Sequence, residues 1–169
     1  MYTLDMEGIH SHKYPIMVEP LIFINRKLKE AHKLLHATHD YIRWQAPLDV
    51  KKMDTKQMLK VSCEAMRVTI RMTQIIAWLM LQKAFLMDEI SRNDVLSDEC
   101  RVLRGTHCLA SDSEIDEELP PRLRELLKDS RNLYVRTLRL DEISRNQESK
   151  NKKNKPGIPI SMLDNPKRP

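Results

Sequence analysis

Residues 62–88 read SCEAMRVTIRMTQIIAWLMLQKAFLMD, and this stretch predicts a long helix whose two halves differ. The first half places polar residues between apolar ones, namely Glu64, Arg67, Arg71 and Gln74. The second half is apolar without interruption from Ile75 to Leu81. Because this run is far shorter than the roughly 18 residues of a membrane-spanning helix, we expect a cytoplasmic protein without membrane insertion.

The sequence also marks where this helix begins. Asp54 is an N-cap residue, and Gln57 stands three positions later, where a capping-box partner belongs. The predicted helix runs from there to about Ile90, a length on the order of 50 Å at ~1.5 Å per residue. The segment 91–103 is amphipathic enough for a further helix or a bent continuation.

Two more helices are predicted on either side of it. The first begins at Glu19-Pro20, since proline is tolerated in the first turn, and ends at Pro47. Its apolar stripe follows spacings of three and four residues: Ile24, Leu28, Ala31, Leu35, Thr38 and Ile42. The last helix starts at Pro120-Pro121, after an acidic loop at 105–119, and continues to about Arg145. The predicted fold is all-α, an antiparallel three-helix bundle with a long central helix.

We divide the chain into three parts. Residues 1–18 are a loosely ordered N-terminus, 19–145 form the helical bundle, and 146–169 are a basic, disordered tail rich in Lys, Asn and Pro. The net charge of +5 comes from the end of the chain. Residues 144–169 hold seven of the 29 Lys and Arg but only two of the 24 Asp and Glu. The bundle itself is therefore not a basic domain.

Two apolar stripes run along the central helix, nearly opposite each other. One stripe is Val61, Ala65, Val68, Met72, Ile75, Leu79 and Leu86. The other is Cys63, Met66, Ile70, Ala77, Met80, Ala84 and Met87. Opposed stripes predict burial on two sides, by the bundle and by a second copy of the chain, because two-fold homodimers are the commonest assemblies. We assign Met66, Ile70, Ala77 and Met80 to the dimer interface, although the sequence leaves open which stripe faces the core.

A third line of residues lies between these stripes: Glu64, Arg67, Arg71, Gln74, Trp78, Leu81 and Phe85. One interpretation is an ion-pair strip, solvated or inside the bundle, that continues into more core. The other is a partner-binding surface made of Glu64, Arg67, Arg71, Gln74 and Trp78. In that second case the two arginines grip a carboxylate beside an aromatic anchor. The two interpretations are compatible with each other.

Several chemistries find no support in the residues. The three glycines cannot form a Gly-rich phosphate loop, and no nucleophile–base spacing is recognisable, so we expect no catalytic residue and no cofactor. The three cysteines follow no zinc spacing. His32, His36 and His39 have a spacing that can hold a metal, but they border the apolar stripe and no Glu-x-x-His occurs, so we predict no metal site.

A nucleic-acid function is the main alternative that the charge allows. The tail sequence KNKKNKP attracts phosphates only unspecifically, and no aromatic residue interleaves with its lysines. A basic-tailed helical dimer that binds nucleic acid, or a purely structural interaction protein, therefore remains the second hypothesis.

The segment SCEAMRVTIRMTQIIAWLMLQKA closely resembles the central segment of the alphaproteobacterial RcdA family, regulators of CtrA degradation. That family typically shows E-S-M-R-L-T-T-R-L-M-Q-x-x-S-W-L-L-L-Q-R-A. The residues that match are Glu64, Met66, Arg67, Thr69, Arg71, Gln74, Trp78, Leu79, Leu81, Gln82 and Ala84. The sequence LPPRLRELLKDSRNLYVRTLRLDEI looks like the family's last helix. Cys63, Lys83 and a longer acidic loop before Pro120 depart from the pattern.

The resemblance implies a non-catalytic, dimeric three-helix bundle. Such proteins act as adaptors that promote delivery of a CtrA-like response regulator to the ClpXP protease, together with accessory regulators. The resemblance therefore implies three kinds of partner: a second copy of the chain, the protease with its accessory factors, and the cargo. It carries over no catalytic residue.

Overall fold

The structure is a computed structural model, and it describes residues 14–98, 100, 101, 103 and 105–153. Side chains are described from Val18 to Asn146 within those ranges. The described part is helical and contains no β-strand. The all-α fold with a long central helix is thus confirmed. The predicted boundaries at 18 and 145 stay predictions, and residues 1–13 and 154–169 lie outside the described residues.

The first helix, α1, spans Tyr14–Asp40 and so begins before the predicted start at Glu19. Pro20 therefore lies inside the helix, where it removes one backbone hydrogen bond, and not in its first turn. A π-helical turn, Tyr41–Gln45, follows directly. The short helix α2, Ala46–Asp49, and a 3-10 turn, Val50–Lys52, complete the connection to the central helix.

The π turn changes which residue of this region faces the core. The predicted stripe placed Ile42 inside, but Ile42 is 44% exposed, whereas Tyr41 is 2% exposed. A π turn has more residues per turn than an α-helix, so the side chains within it, Tyr41 and Ile42 included, rotate relative to the preceding α-helix. The prediction for Ile42 was therefore wrong, because it assumed an unbroken 3.6-residue period.

The central helix, α3, spans Thr55–Leu86 and has the predicted capping box. The Gln57 backbone N–H donates to Asp54 Oδ1 at 2.8 Å, and the Asp54 backbone N–H donates to Gln57 Oε1 at 3.2 Å. These two bonds satisfy donors that a helix N-terminus leaves free. The helix ends a few residues before the predicted Ile90, where Asp88 adopts a left-handed conformation with φ of 58°.

The last long helix, α5, spans Pro121–Lys153 and begins where the proline pair predicted. It continues past the predicted end at Arg145, so the first residues assigned to the tail are helical. Between α3 and α5 the described residues contain only a short helix, α4, Arg92–Leu96, and 3-10 turns at Thr106–Cys108 and Asp112–Glu114. The helix predicted within 91–103 is thus reduced to α4.

Contacts between the long helices define the topology. α1 is antiparallel to α5, since Glu30 near its middle binds Arg136 while Phe23 lies level with Leu140. α3 and α5 run parallel, because Lys60 binds Glu118 just before α5 and Trp78 binds Asp141 far along it. The predicted bundle was antiparallel, and the structure differs from it in the direction of α5 relative to α3. Residues 87–120, called here the crossover segment, return along the length of the bundle.

Buried residues from the three long helices form one core. α3 contributes the stripe that begins at Val61, with Ala65, Val68, Met72, Ile75 and Leu79 all buried. α5 contributes Leu123, Leu126, Leu127, Leu133 and Tyr134, and α1 contributes Ile24, Leu28 and Ala31. Each fully buried large apolar side chain stabilises the fold by about 1.5–3 kcal/mol. The Val61 stripe is therefore the side of α3 that faces the core.

Candidate protein-interaction surfaces

The five partner-binding candidates on α3 lie against the chain's own crossover segment and α5. Three of them are almost without exposed surface: Arg71 at 0%, Trp78 at 5% and Glu64 at 7%. Arg67 and Gln74 are partly buried. We call these five residues the buried polar line.

Arg71 is the centre of the buried polar line. Its guanidinium donates to the main-chain carbonyl of Cys108 at 2.9 Å and to that of Ala110 at 2.7 Å, both in the crossover segment. It also donates to α5, through the Leu127 carbonyl at 2.9 Å and Ser130 Oγ at 3.1 Å. The planar, five-donor geometry of arginine suits such a set of acceptors, whereas lysine would reach fewer of them. One side chain thus joins α3, the crossover segment and α5.

The charge of Arg71 has no direct carboxylate partner among these contacts. Burial lowers the pKa of Arg71 from its ordinary value, and the nearby Glu114 carboxylate acts in the opposite direction. An arginine remains protonated under such conditions because its unperturbed pKa lies far above neutrality. The carbonyl dipoles therefore stabilise a buried cation, and this arrangement depends on the crossover segment staying in place.

Further polar contacts fix the acidic part of the crossover segment to α3. Arg67 lies 3.2 Å from Glu64 and donates to Ser113 Oγ at 3.3 Å. Lys60 binds Asp116 and Glu118 at the surface. Hydrogen bonding to Asp116 and Glu118 raises the pKa of Lys60, and Lys60 in turn lowers the pKa of Asp116. The acidic loop thus compensates basic residues of the same chain.

Trp78 makes the corresponding connection further along α5. Its Nε1–H donates to Asp141 Oδ1 at 2.9 Å, and Arg145 binds the same carboxylate at 3.0 Å. Arg145 also donates to the Leu96 carbonyl at 2.8 Å, which fixes the end of α4. Every polar atom named here has a partner inside the chain, as buried polar groups require.

Gln74 completes the buried polar line. Its Oε1 accepts a hydrogen bond from the Tyr134 hydroxyl at 3.0 Å, and the Cys108 thiol lies 3.8 Å away. Burial, with a contribution from the neighbouring Cys108, raises the pKa of Tyr134 to about 12. The tyrosine is therefore a neutral donor at physiological pH.

These contacts favour one of the two interpretations of the third line, an internal strip of ion pairs and hydrogen bonds. Arg71 and Trp78 present almost no surface to a partner in this structure, because the crossover segment and α5 cover them. Sequence reasoning could not foresee the covering, since Arg71 binds main-chain carbonyls that any residue would supply. The role of Asp141 as the acceptor for Trp78 was missed for a similar reason, as the two residues are 63 positions apart.

The dimer-interface candidates lie on the side of α3 opposite the Val61 stripe and are accessible. Met66 is 64% exposed, Met80 is 51% exposed and Ile70 is 43% exposed, while Ala77 is half-buried. With Leu59, Cys63, Thr73, Ala84 and Met87 they follow alternating steps of four and three residues. This is the spacing of a seam that packs against another helix. We call this set the outer stripe.

The described residues also bear on membrane insertion and on metal binding. Within the described ranges no helix is long and apolar enough to cross a membrane. Across the same ranges no group of three His, Cys, Asp or Glu has the arrangement of a metal site. His32 instead places Nδ1 at 2.8 Å from the Leu28 carbonyl of its own helix.

Comparisons with known proteins agree with this architecture. A family model described as "Protein of unknown function (DUF1465)" matches residues 22–164. The crystal structure of RcdA from Caulobacter crescentus CB15 is similar, with a TM-score of 0.56 and 26% sequence identity. The match covers 72% of this chain and 89% of that one. No curated protein matches. The resemblance predicted from the central helix is thereby confirmed, and the chain, which is structurally similar to RcdA, belongs to the DUF1465 family.

Proposed function

We propose that the chain is a non-catalytic adaptor that promotes delivery of a CtrA-like response regulator to the ClpXP protease, together with accessory regulators. The observation that carries this proposal is the similarity to RcdA over most of both chains. It is supported by the position of the shared motif, because its polar residues hold the bundle and the crossover segment together. The family motif identified in the sequence therefore lies in the part that fixes the shape of the molecule.

We further propose that the adaptor is a homodimer formed through the outer stripe. Leu59, Met66, Ile70 and Met80 expose apolar surface on a helix whose other faces are fixed by core and polar contacts. An exposed apolar stripe of this length is typical of a protein–protein interface. Ala77, a small residue in the second half of the stripe, permits close approach of a partner helix.

Reconstituted degradation tests the adaptor proposal. We would measure the degradation rate of the host's CtrA-like regulator by its own ClpXP and accessory regulators, with and without this chain. The adaptor accelerates degradation in the complete mixture and has no proteolytic effect when ClpXP is omitted. An unchanged rate, in a mixture whose components are each shown to be active, would contradict the assignment of this cargo.

A matched pair of variants connects the assay to the outer stripe. Met66→Arg combined with Ile70→Arg places two charges in the stripe, and we expect the acceleration to be lost. Leu48→Arg adds a charge at a residue of α2 that is 71% exposed and lies outside the stripe. This control retains the acceleration. Equal loss in both variants would show that the outer stripe has no special role.

A further inference from the structure

A groove of about 490 Å³ lies where the start of α1, the end of α3 and the second half of α5 meet. Its lining is mainly apolar and includes Phe23, Trp78, Phe85, Leu140 and Ile143. It is separate from the outer stripe, because none of the stripe residues lines it. Grooves with this composition are typical binding sites for apolar side chains.

The groove exposes apolar surface that no other described residue covers. Ile143 is 54% exposed, and Phe85 and Leu140 are only half-buried. The Arg92 guanidinium lies 5.7 Å from the centre of the Phe85 ring and borders the groove on one side. Polar groups border an apolar floor, which suits a short peptide with apolar side chains on one face.

The sequence that follows α5 contains such a peptide. Residues 154–169 read NKPGIPISMLDNPKRP, with apolar residues at Ile158, Ile160 and Met162. In an extended chain, residues two positions apart point to the same side. Pro159 favours an extended conformation at Ile158, because the residue before proline is restricted to that region. The segment 157–163 thus places Ile158, Ile160 and Met162 on one face of an extended strip, with Leu163 at its end on the other face.

The position of this sequence brings it within reach of the groove. Ser144 of α5 lines the groove, and α5 continues to Lys153, roughly 14 Å further along at ~1.5 Å per residue. The next four residues span up to about 14 Å when extended. A chain that reverses directly after Lys153 therefore brings Ile158 and Ile160 back to the level of Ser144 and Ile143, and Pro156-Gly157, a dipeptide typical of turns, lets it bend towards the groove.

Charge also favours this pairing. Glu19 lines the groove, and Asp88 and Glu89 are exposed just beyond the end of α3 at the same end of the bundle. The apolar segment is flanked by Lys155 on one side and by Lys167-Arg168 on the other. A basic peptide beside exposed carboxylates gains modest, salt-dependent attraction.

We propose that the groove binds the apolar segment 157–163 of the chain's own C-terminal sequence. Ile158 and Ile160 contact the floor made by Phe85, Leu140 and Ile143, and the flanking basic residues face the acidic end of the bundle. This inference is independent of the adaptor function, since it concerns a contact within one chain.

Nuclear magnetic resonance of the full chain, labelled at isoleucine methyl groups, tests the contact. We expect nuclear Overhauser effects between the Ile143 methyl and the methyls of Ile158 or Ile160, unchanged by dilution. Ile158→Glu combined with Ile160→Glu should shift the Ile143 resonance. Asn165→Glu, a charge change outside the segment, should leave it in place.

A variant on the groove side of the contact distinguishes direct binding from an indirect effect of the tail substitutions. Ile143→Glu changes an exposed residue of the groove, and it should move the Ile158 and Ile160 resonances to the positions found in a synthetic peptide of residues 154–169. Absence of the Overhauser effects, together with an Ile143 resonance that is the same in the double variant and the control, would overturn the proposal. Effects that disappear on dilution would also overturn it, because they indicate a second copy as the source.

Discussion

Two faces of α3 reverse the usual distribution of polar and apolar residues. The buried polar line, centred on Arg71, is covered by the chain, whereas the outer stripe, centred on Met66 and Ile70, is exposed. A buried charge is stable only where its donors find acceptors, and Arg71 finds all of its acceptors inside the chain. An exposed apolar face gains free energy only from a partner. Residue type alone therefore does not distinguish an interface from a core. The distinction depends on whether the groups that contact each face belong to the same chain.

The largest expected effect is on the buried polar line. Arg71→Met removes four hydrogen bonds and leaves the Cys108 and Ala110 carbonyls without their donor. We expect the free energy of unfolding to fall by about 3 kcal/mol or more, measured by urea denaturation. Arg67→Met is the matched control, because Arg67 keeps 24% of its side chain exposed. Equal losses in the two variants would contradict the central role of Arg71.

Replacement of Trp78 should have a smaller effect on the same face. Trp78→Phe keeps most of the ring in the core but removes the N–H that binds Asp141, while Arg145 still pairs with the carboxylate. We expect a loss of about 1–2 kcal/mol in the free energy of unfolding. Trp44→Phe is the control, since Trp44 is 65% exposed and its replacement should leave stability unchanged.

Alkaline pH should weaken the buried polar line through Tyr134. Its pKa in the fold is about 12, above the ordinary value of 10.0, so the unfolded chain loses this proton first. The stabilisation is fully present below the unfolded pKa and is lost as pH rises from about 10 towards 12. In Tyr134→Phe, the fall in unfolding free energy between about pH 9 and pH 11 should be shallower than in the parent chain. Identical slopes would exclude this contribution.

The smallest effect on the protomer is expected at the outer stripe. Met66→Arg with Ile70→Arg should change the free energy of unfolding of the monomer by no more than about 0.5 kcal/mol, because both side chains are exposed. The molar mass in solution, by contrast, should fall from that of a dimer to that of a monomer. Light scattering after size-exclusion chromatography measures this change. Loss of the helical circular-dichroism signal would instead assign these residues to the core.

Much of the fold could be predicted from local signals. The capping box at Asp54, the proline pair before α5 and the Val61 stripe all depend on residues close in sequence, and the structure confirms each. The start of α1 and the exposure of Ile42 were not predicted correctly. Both errors follow from the assumption that proline begins a helix and that its period stays constant, whereas Pro20 lies inside α1 and a π turn follows it.

The sequence predicted one of the two candidate surfaces better than the other. The outer stripe was identified by its spacing, and its exposure agrees with the dimer hypothesis without testing it. The covering of Arg71 could not be foreseen, because its acceptors are main-chain carbonyls in a segment without helical periodicity. The same limit explains why the parallel course of α3 and α5 was missed. The length of residues 87–120 is the one sequence signal that could have indicated a connection long enough to return along the bundle.

The parallel course of α3 and α5 has a kinetic consequence. α1 and α3 are joined by a short connection, whereas Arg71 and Ser130 are separated by 59 positions and Trp78 and Asp141 by 63. Contacts between distant residues form only after a long loop has closed, which costs chain entropy before any contact compensates it. We therefore expect the α1–α3 hairpin to form first, with Arg71 still hydrated. Arg71 then loses its water in the final step of folding. Folding φ-values (the ratio of the kinetic to the equilibrium free-energy change of a mutation) near zero at Arg71 and Trp78 would show that their contacts form last.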